Sequence, residues 1–171
     1  STSLLSGYVE DVNPKKTCQW MHTNIGNSAF NNNGSRNISM DKFLAENGVP
    51  GKWESSDYES KLKEAFKAGK PVIINIKPGS SEWTTEGGHF ICFTGISSDG
   101  TVYTADSVSS NDRLKKKLGS DFDSAVSSLV SKLVIGAIWI PNNAPTGAKT
   151  SMAGANGYAF QGYEADQKVA S

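Results

Sequence analysis

Residues 88–106 restrict the fold of this chain more than any other stretch. Phe90-Ile91-Cys92-Phe93-Thr94-Gly95-Ile96 and Thr101-Val102-Tyr103-Thr104-Ala105 are two runs rich in β-branched and aromatic residues, the composition of strands. Ser97-Ser98-Asp99-Gly100 joins them, and Asp-Gly is a strong hairpin signal. The pattern predicts an antiparallel hairpin with strands at about 89–96 and 101–105. A hairpin sets the outer ends of its two strands side by side. His89 opens the first strand and Asp106 follows the second, so the two side chains are brought to one edge. Histidine ordinarily titrates near neutrality, and a carboxylate beside the ring fixes its tautomer, as hydrolytic triads require.

The flanking segments read as layers for this hairpin. Ser56-x-x-Glu59 has the form of a capping box and opens a helix over 57–68 with Tyr58, Leu62, Ala65 and Phe66 as its apolar stripe. Gly69 stops it and Pro71 blocks continuation. Val72-Ile73-Ile74-Asn75-Ile76 is a buried strand. A second amphipathic helix covers 121–132 through Phe122, Ala125, Val126 and Leu129, and Leu133 to Ile140 is a strand ended by Pro141-Asn142-Asn143. Towards the N-terminus, Leu4, Leu5, Tyr8, Val9 and Val12 fit a helical stripe. Asn13-Pro14-Lys15-Lys16 reads as a break, with Thr17 capping a helix that opens at Cys18 and faces Met21, Ile25 and Ala29 inward. Asn31 to Ser35 is a turn-rich loop, and Ser39 caps a helix from Met40 to Glu46 that ends at Asn47-Gly48. Helices first and then an antiparallel meander make an α+β chain. Residues 1–143 form the domain. Residues 144–171 are a Gly/Ala/Ser-rich tail in which Tyr158, Phe160 and Tyr163 offer docking side chains.

Composition removes several functions. The 171 residues are enough for one core. Lysine plus arginine and aspartate plus glutamate both number 17, so the basic footprint of a nucleic-acid binder is missing. No apolar run approaches the ~20 residues that span a bilayer. The expectation is a monomer with neither nucleic-acid nor membrane partners. The first residues lack the basic start and apolar stretch of a signal peptide, while the Ser, Asn and Gly content has the flavour of a secreted bacterial protein. Two cysteines are too few for a disulfide framework.

The chemistry-bearing residues gather around His89. Gly87 and Gly88 precede it, and glycine lets a substrate backbone approach closely. The long loop 78–88, with Trp83 inside it, is expected to shape a cleft wall, so Trp83, Gly87 and Gly88 are candidate substrate-binding residues. Cys18 is the only cysteine ahead of the histidine. On the first turn of a helix its thiolate would be favoured by free backbone N–H groups and the helix dipole, and a thiolate beside an imidazolium is the nucleophile pair of cysteine hydrolases. The alternatives are an ordinary buried thiol or half of a Cys18–Cys92 bridge. Cys92 points to the opposite strand face from His89 and reads as a small core residue. Cys18-x-x-x-His22 and His89-x-x-Cys92 would supply four zinc ligands, but the strand pair cannot share a face, so no metal and no cofactor are expected. Phosphate-binding loops, metalloprotease helices and GxSxG elbows do not occur in the sequence.

Gly69-Lys70-Pro71-Val72-Ile73-Ile74, then Gly88-His89-Phe90 with Thr94-Gly95, then Asp99-Gly100-Thr101-Val102-Tyr103 with Asp106, resemble papain-like bacterial cysteine peptidases. The likeness is closest to the group related to peptidases that cut double-glycine leaders from bacteriocin precursors, and it covers about residues 39–140. The resemblance implies a papain-like cysteine-peptidase fold, with N-terminal helices packed on an antiparallel sheet and the cleft between the layers. It implies His89 as general base and Asp106 as its orienting partner, acting on a peptide or protein substrate. The family nucleophile is a cysteine usually followed by glycine and preceded by a glutamine. Cys18 is followed by Gln19-Trp20 and has no such glutamine upstream, whereas Thr2 to Tyr8 resembles the helix that follows the family's Cys-Gly. The nucleophile is expected at Cys18, with a cysteine ahead of Ser1 as the alternative. Two other readings share the scaffold: a catalytically inactive module that binds peptide or protein, and a secreted effector that deamidates glutamine or cuts cell-wall peptides.

Overall fold

The computed structural model describes residues 2–5, 8, 14–26, 30–31, 34–35, 37–84, 87–105 and 114–145. Its helices are α1 (Thr2–Leu5), α2 (Pro14–Asn24), α3 (Asn37–Glu46), α4 (Tyr58–Lys67) and α5 (Phe122–Lys132). A small antiparallel pair, β1 (Phe30–Asn31) and β2 (Gly34–Ser35), occupies the segment expected as a loop. The main sheet is built from β3 (Gly51–Glu54), β4 (Val72–Ile76), β5 (His89–Ile96), β6 (Thr101–Ala105), β7 (Lys115–Lys117) and β8 (Ile135–Pro141). Their order is β3-β8-β4-β5-β6-β7, and every neighbouring pair is antiparallel. The α+β class holds. The hairpin of β5 and β6 and the strand β4 fall where the sequence places them.

Helices cover both faces of this sheet, a fuller arrangement than N-terminal helices on one layer. Alternation along β4 shows why. Val72, Ile74 and Ile76 face a core built with Leu62, Ala65 and Phe66 of α4 and Phe122, Val126 and Leu129 of α5. Ile73 faces the opposite core with Leu4 and Leu5 of α1, Met21 of α2, and Phe43 and Leu44 of α3. A strand buried on both sides reads as a near-continuous apolar run, and Val72–Ile76 is such a run apart from the half-buried Asn75.

Several element starts differ from expectation for identifiable reasons. Proline suits the first position of a helix, where its missing N–H would be unpaired anyway. So α2 begins at Pro14, and Thr17 and Cys18 lie inside the helix rather than at its cap. Likewise α3 begins at Asn37, leaving Ser39 fully buried within it. No capping box forms at α4: Asp57 takes the N-cap position in a left-handed backbone and its side chain makes no capping bond. Ser56 accepts from Lys61, and Glu59 accepts from the Ser127 hydroxyl of α5. A capping box does form at the start of α5, where the Asp121 and Ser124 side chains each bond the other's backbone N–H.

Candidate active site

β5 presents His89 at its first residue, half-buried. In the β4–β5 register His89 stands opposite Ile76, two residues before the buried Ile91. Ile76, Ile91 and Phe93 all belong to the α4/α5 core, so alternation assigns His89 to that face. Cys92 belongs to the opposite core, as the sequence requires. Burial pushes its thiol up to about 12, which makes it a packing residue and not a nucleophile.

The two glycines ahead of His89 play different parts. Gly88 has φ +87, and a Cβ there would stand 3.2 Å from the Ile76 carbonyl oxygen. Both facts require glycine. Gly87 is exposed, and a Cβ there would meet nothing within 4 Å. Gly88 therefore seats the strand start against β4, while Gly87 stands in open space.

Trp83 sits elsewhere than expected. Its side chain is 2% exposed and meets Phe93 edge to face at 5.0 Å between ring centroids. It is a core residue on the α4/α5 face and not an exposed cleft wall. Polar bonds fasten the loop that carries it. The Val134 N–H donates to Ser80 Oγ at 2.8 Å, Ser80 Oγ donates to the Lys77 carbonyl at 2.9 Å, and the Ser81 N–H donates to the Lys132 carbonyl at 2.8 Å. Glu82 pairs with Lys116 of β7 at 2.7 Å. Sequence reasoning missed these loop-fastening residues. The strand period offers a signal: in Lys115-Lys116-Lys117 the middle residue faces the opposite way from its neighbours.

Cys18 is free and exposed. It is the fifth residue of α2, beyond the first turn. A hollow of about 410 Å³ beside it is lined by Lys15, Gln19, His22 and Thr23, all from the same helix, so His89 does not share it. Helix α2 packs Met21 into the Cys92-face core. Cys92 is likewise free, and the two cysteines form no bridge. Asp106 lies outside the described residues. The last described residue of β6, Ala105, pairs with Cys92. Among the described residues, no three His, Cys, Asp or Glu side chains gather as metal ligands. No helix among them is long and apolar enough to cross a membrane.

A model described as the Peptidase_C39 like family matches residues 2–126. No curated protein and no solved structure matches the chain. The family match runs from α1 into α5, and so takes in β4, the loop that follows it and the whole His89 hairpin. The chain belongs to the Peptidase_C39 like family, related to papain-like cysteine peptidases.

Proposed function

We propose that this chain folds as a papain-like domain and is a thiol-dependent hydrolase of peptide or isopeptide amide bonds. His89 takes the proton from the attacking thiol and returns it to the leaving amine; Asp106 orients the ring. The thiolate attacks the carbonyl carbon, the C–N bond breaks, and water then hydrolyses the thioester with His89 as base. The observation that carries this reading is the placement of His89. It opens β5 behind Gly88, whose positive φ and close approach to the Ile76 carbonyl favour glycine, within the segment matched by a peptidase family.

Two thiols compete for the attack. Cys18 is accessible, but its surroundings come from α2 alone. The other is a cysteine ahead of Ser1, implied by the likeness of Thr2–Tyr8 to the helix after the family's Cys-Gly. Leu4 and Leu5 of α1 and Met21 of α2 all pack on the Cys92 face of the sheet, so it is the likeness of Thr2–Tyr8 that favours the second. The test is peptide cleavage by the full-length protein with and without iodoacetamide, beside Cys18→Ala. Alkylation is expected to abolish cleavage and Cys18→Ala to leave it intact. Loss of activity in Cys18→Ala would return the role to Cys18. Cleavage insensitive to alkylation would end the thiol mechanism. Release of ammonia without chain cleavage would identify a deamidase.

A further inference from the structure

With the attack assigned to a thiol ahead of Ser1, the outer face of α2 is left without a role. The inner face fixes this helix in place. Met21 is 2% exposed and shares a core with Phe43 and Leu44 of α3. Thr17 is buried one turn earlier, and the Trp20 ring meets Phe43 edge to face at 5.4 Å. Cys18 and His22 are both exposed. They stand four residues apart within one unbroken helix, Pro14–Asn24, so their side chains leave the same face one turn apart. Cys18 is a free thiol, and both residues line the hollow of about 410 Å³ on that face.

A thiolate sulfur and an imidazole nitrogen select their ligand by type. Calcium and magnesium take oxygen donors, whereas zinc and its transition-metal neighbours take sulfur and nitrogen. Helix neighbours at this spacing have Cβ atoms about 5–6 Å apart. One ion at about 2.3 Å from sulfur and about 2.0 Å from nitrogen bridges such a gap. Two histidines hold zinc from one helix face at the same spacing in metalloproteases. His22 also lies in the last turn of α2, where the helix dipole favours positive charge. Lys15 is the opposing charge at the hollow, and its long stem lets the ammonium swing into water. The hollow is many times the roughly 30 Å³ that a water molecule occupies, so waters can complete the ion's shell.

We propose that Cys18 and His22 form a two-residue site for a zinc-like transition-metal cation on the outer face of α2, with water in the remaining positions. The Cys18 thiol gives its proton to solvent as the sulfur binds the ion. The bound ion ties one turn of α2 to the next and covers the Cys18 sulfur. The site is independent of the hydrolase reading, and its test needs no peptide cleavage.

The experiment titrates the reduced full-length protein with Zn²⁺, and with Mg²⁺ as the control for ion type. Two readouts belong to the two residues. The His22 imidazole signals are followed by NMR, and alkylation of Cys18 by iodoacetamide is followed by mass spectrometry of the peptide that carries it. Zn²⁺ is expected to move the His22 signals and to slow alkylation of Cys18, and Mg²⁺ to do neither. Each residue should report on the other. Cys18→Ser should weaken the effect of Zn²⁺ on His22. His22→Gln should raise the Zn²⁺ concentration that protects Cys18 by at least about 10-fold, since outer-shell partners alone contribute about 10- to 100-fold to metal affinity. Both side chains are exposed, so the variants are expected to keep the fold by circular dichroism. His22 signals that Zn²⁺ leaves in place, or equal protection of Cys18 in His22→Gln, overturn the proposal. So does an equal response to Mg²⁺. Dimers that form only with Zn²⁺, at half an ion per chain, would draw the ligands from two copies and overturn the one-helix site.

Discussion

Gly100 shows how much one residue decides here. Its φ is +86, and a Cβ would run into the Gly119 carbonyl. Gly100→Ala should cost about 1–3 kcal/mol from the left-handed backbone alone, with the clash in addition. Urea unfolding followed by circular dichroism measures this, and an unchanged midpoint would contradict it. Gly100 was legible because the Asp-Gly pair has one physical meaning, a turn that needs positive φ. Gly69, with φ +75 after α4, was legible for the same reason. Trp83 was not. A large indole in a long polar loop looks like a ligand-facing side chain. Its burial depends on Phe93 and Lys116, which are 10 and 33 residues away and which no local pattern ties to it.

The β5–β6 hairpin is the element on which the site hangs, and its turn is held by one carboxylate. Asp99 accepts from the Ser97 hydroxyl at 2.6 Å and from the Thr101 N–H at 3.0 Å. These bonds hold its carboxyl down at about 2. A carboxylate depressed in the folded state contributes stability above its unfolded pKa of about 3.9 and loses it as pH falls through the folded value. The wild type should therefore lose stability between about pH 4 and pH 2, and Asp99→Asn should be less stable at neutral pH with a flatter acid limb. Thermal melts from pH 2 to pH 7 check this, and parallel curves for the two proteins would refute it. Strand positions were readable because β-branched runs and a turn signal agree. Helix starts were less so. Pro14 both ends and begins structure, and Ser56-x-x-Glu59 matches a capping box whose side chains bond elsewhere. Strands as short as β3 and β7 exist only through their partners β8 and β6.

Across the whole molecule, the half-buried Tyr8 links the two ends of the domain. Its hydroxyl donates to the Asn143 carbonyl at 2.5 Å, and burial, with Cys92 adding to it, raises its pKa above the ordinary value. Tyr8→Phe removes one hydrogen bond and should cost about 1 kcal/mol, read as a lower urea midpoint with an unchanged slope. An unchanged midpoint would mean that the bond contributes nothing. The α+β class and the relationship to C39-type peptidases were legible from three motifs in order. The strand order was not, because β8 enters the sheet between β3 and β4 although it follows them by many residues; the apolar run of β4 carried the one signal of two-sided packing. The proposed hydrolysis depends on an imidazole at the start of β5. Its most direct test is the rate at which His89→Ala cleaves a peptide cut by the full-length wild type. A loss of about 100- to 10,000-fold is expected, the usual contribution of a proton-transfer group, with the fold retained by circular dichroism. A folded His89→Ala protein that cleaves at the wild-type rate would contradict it.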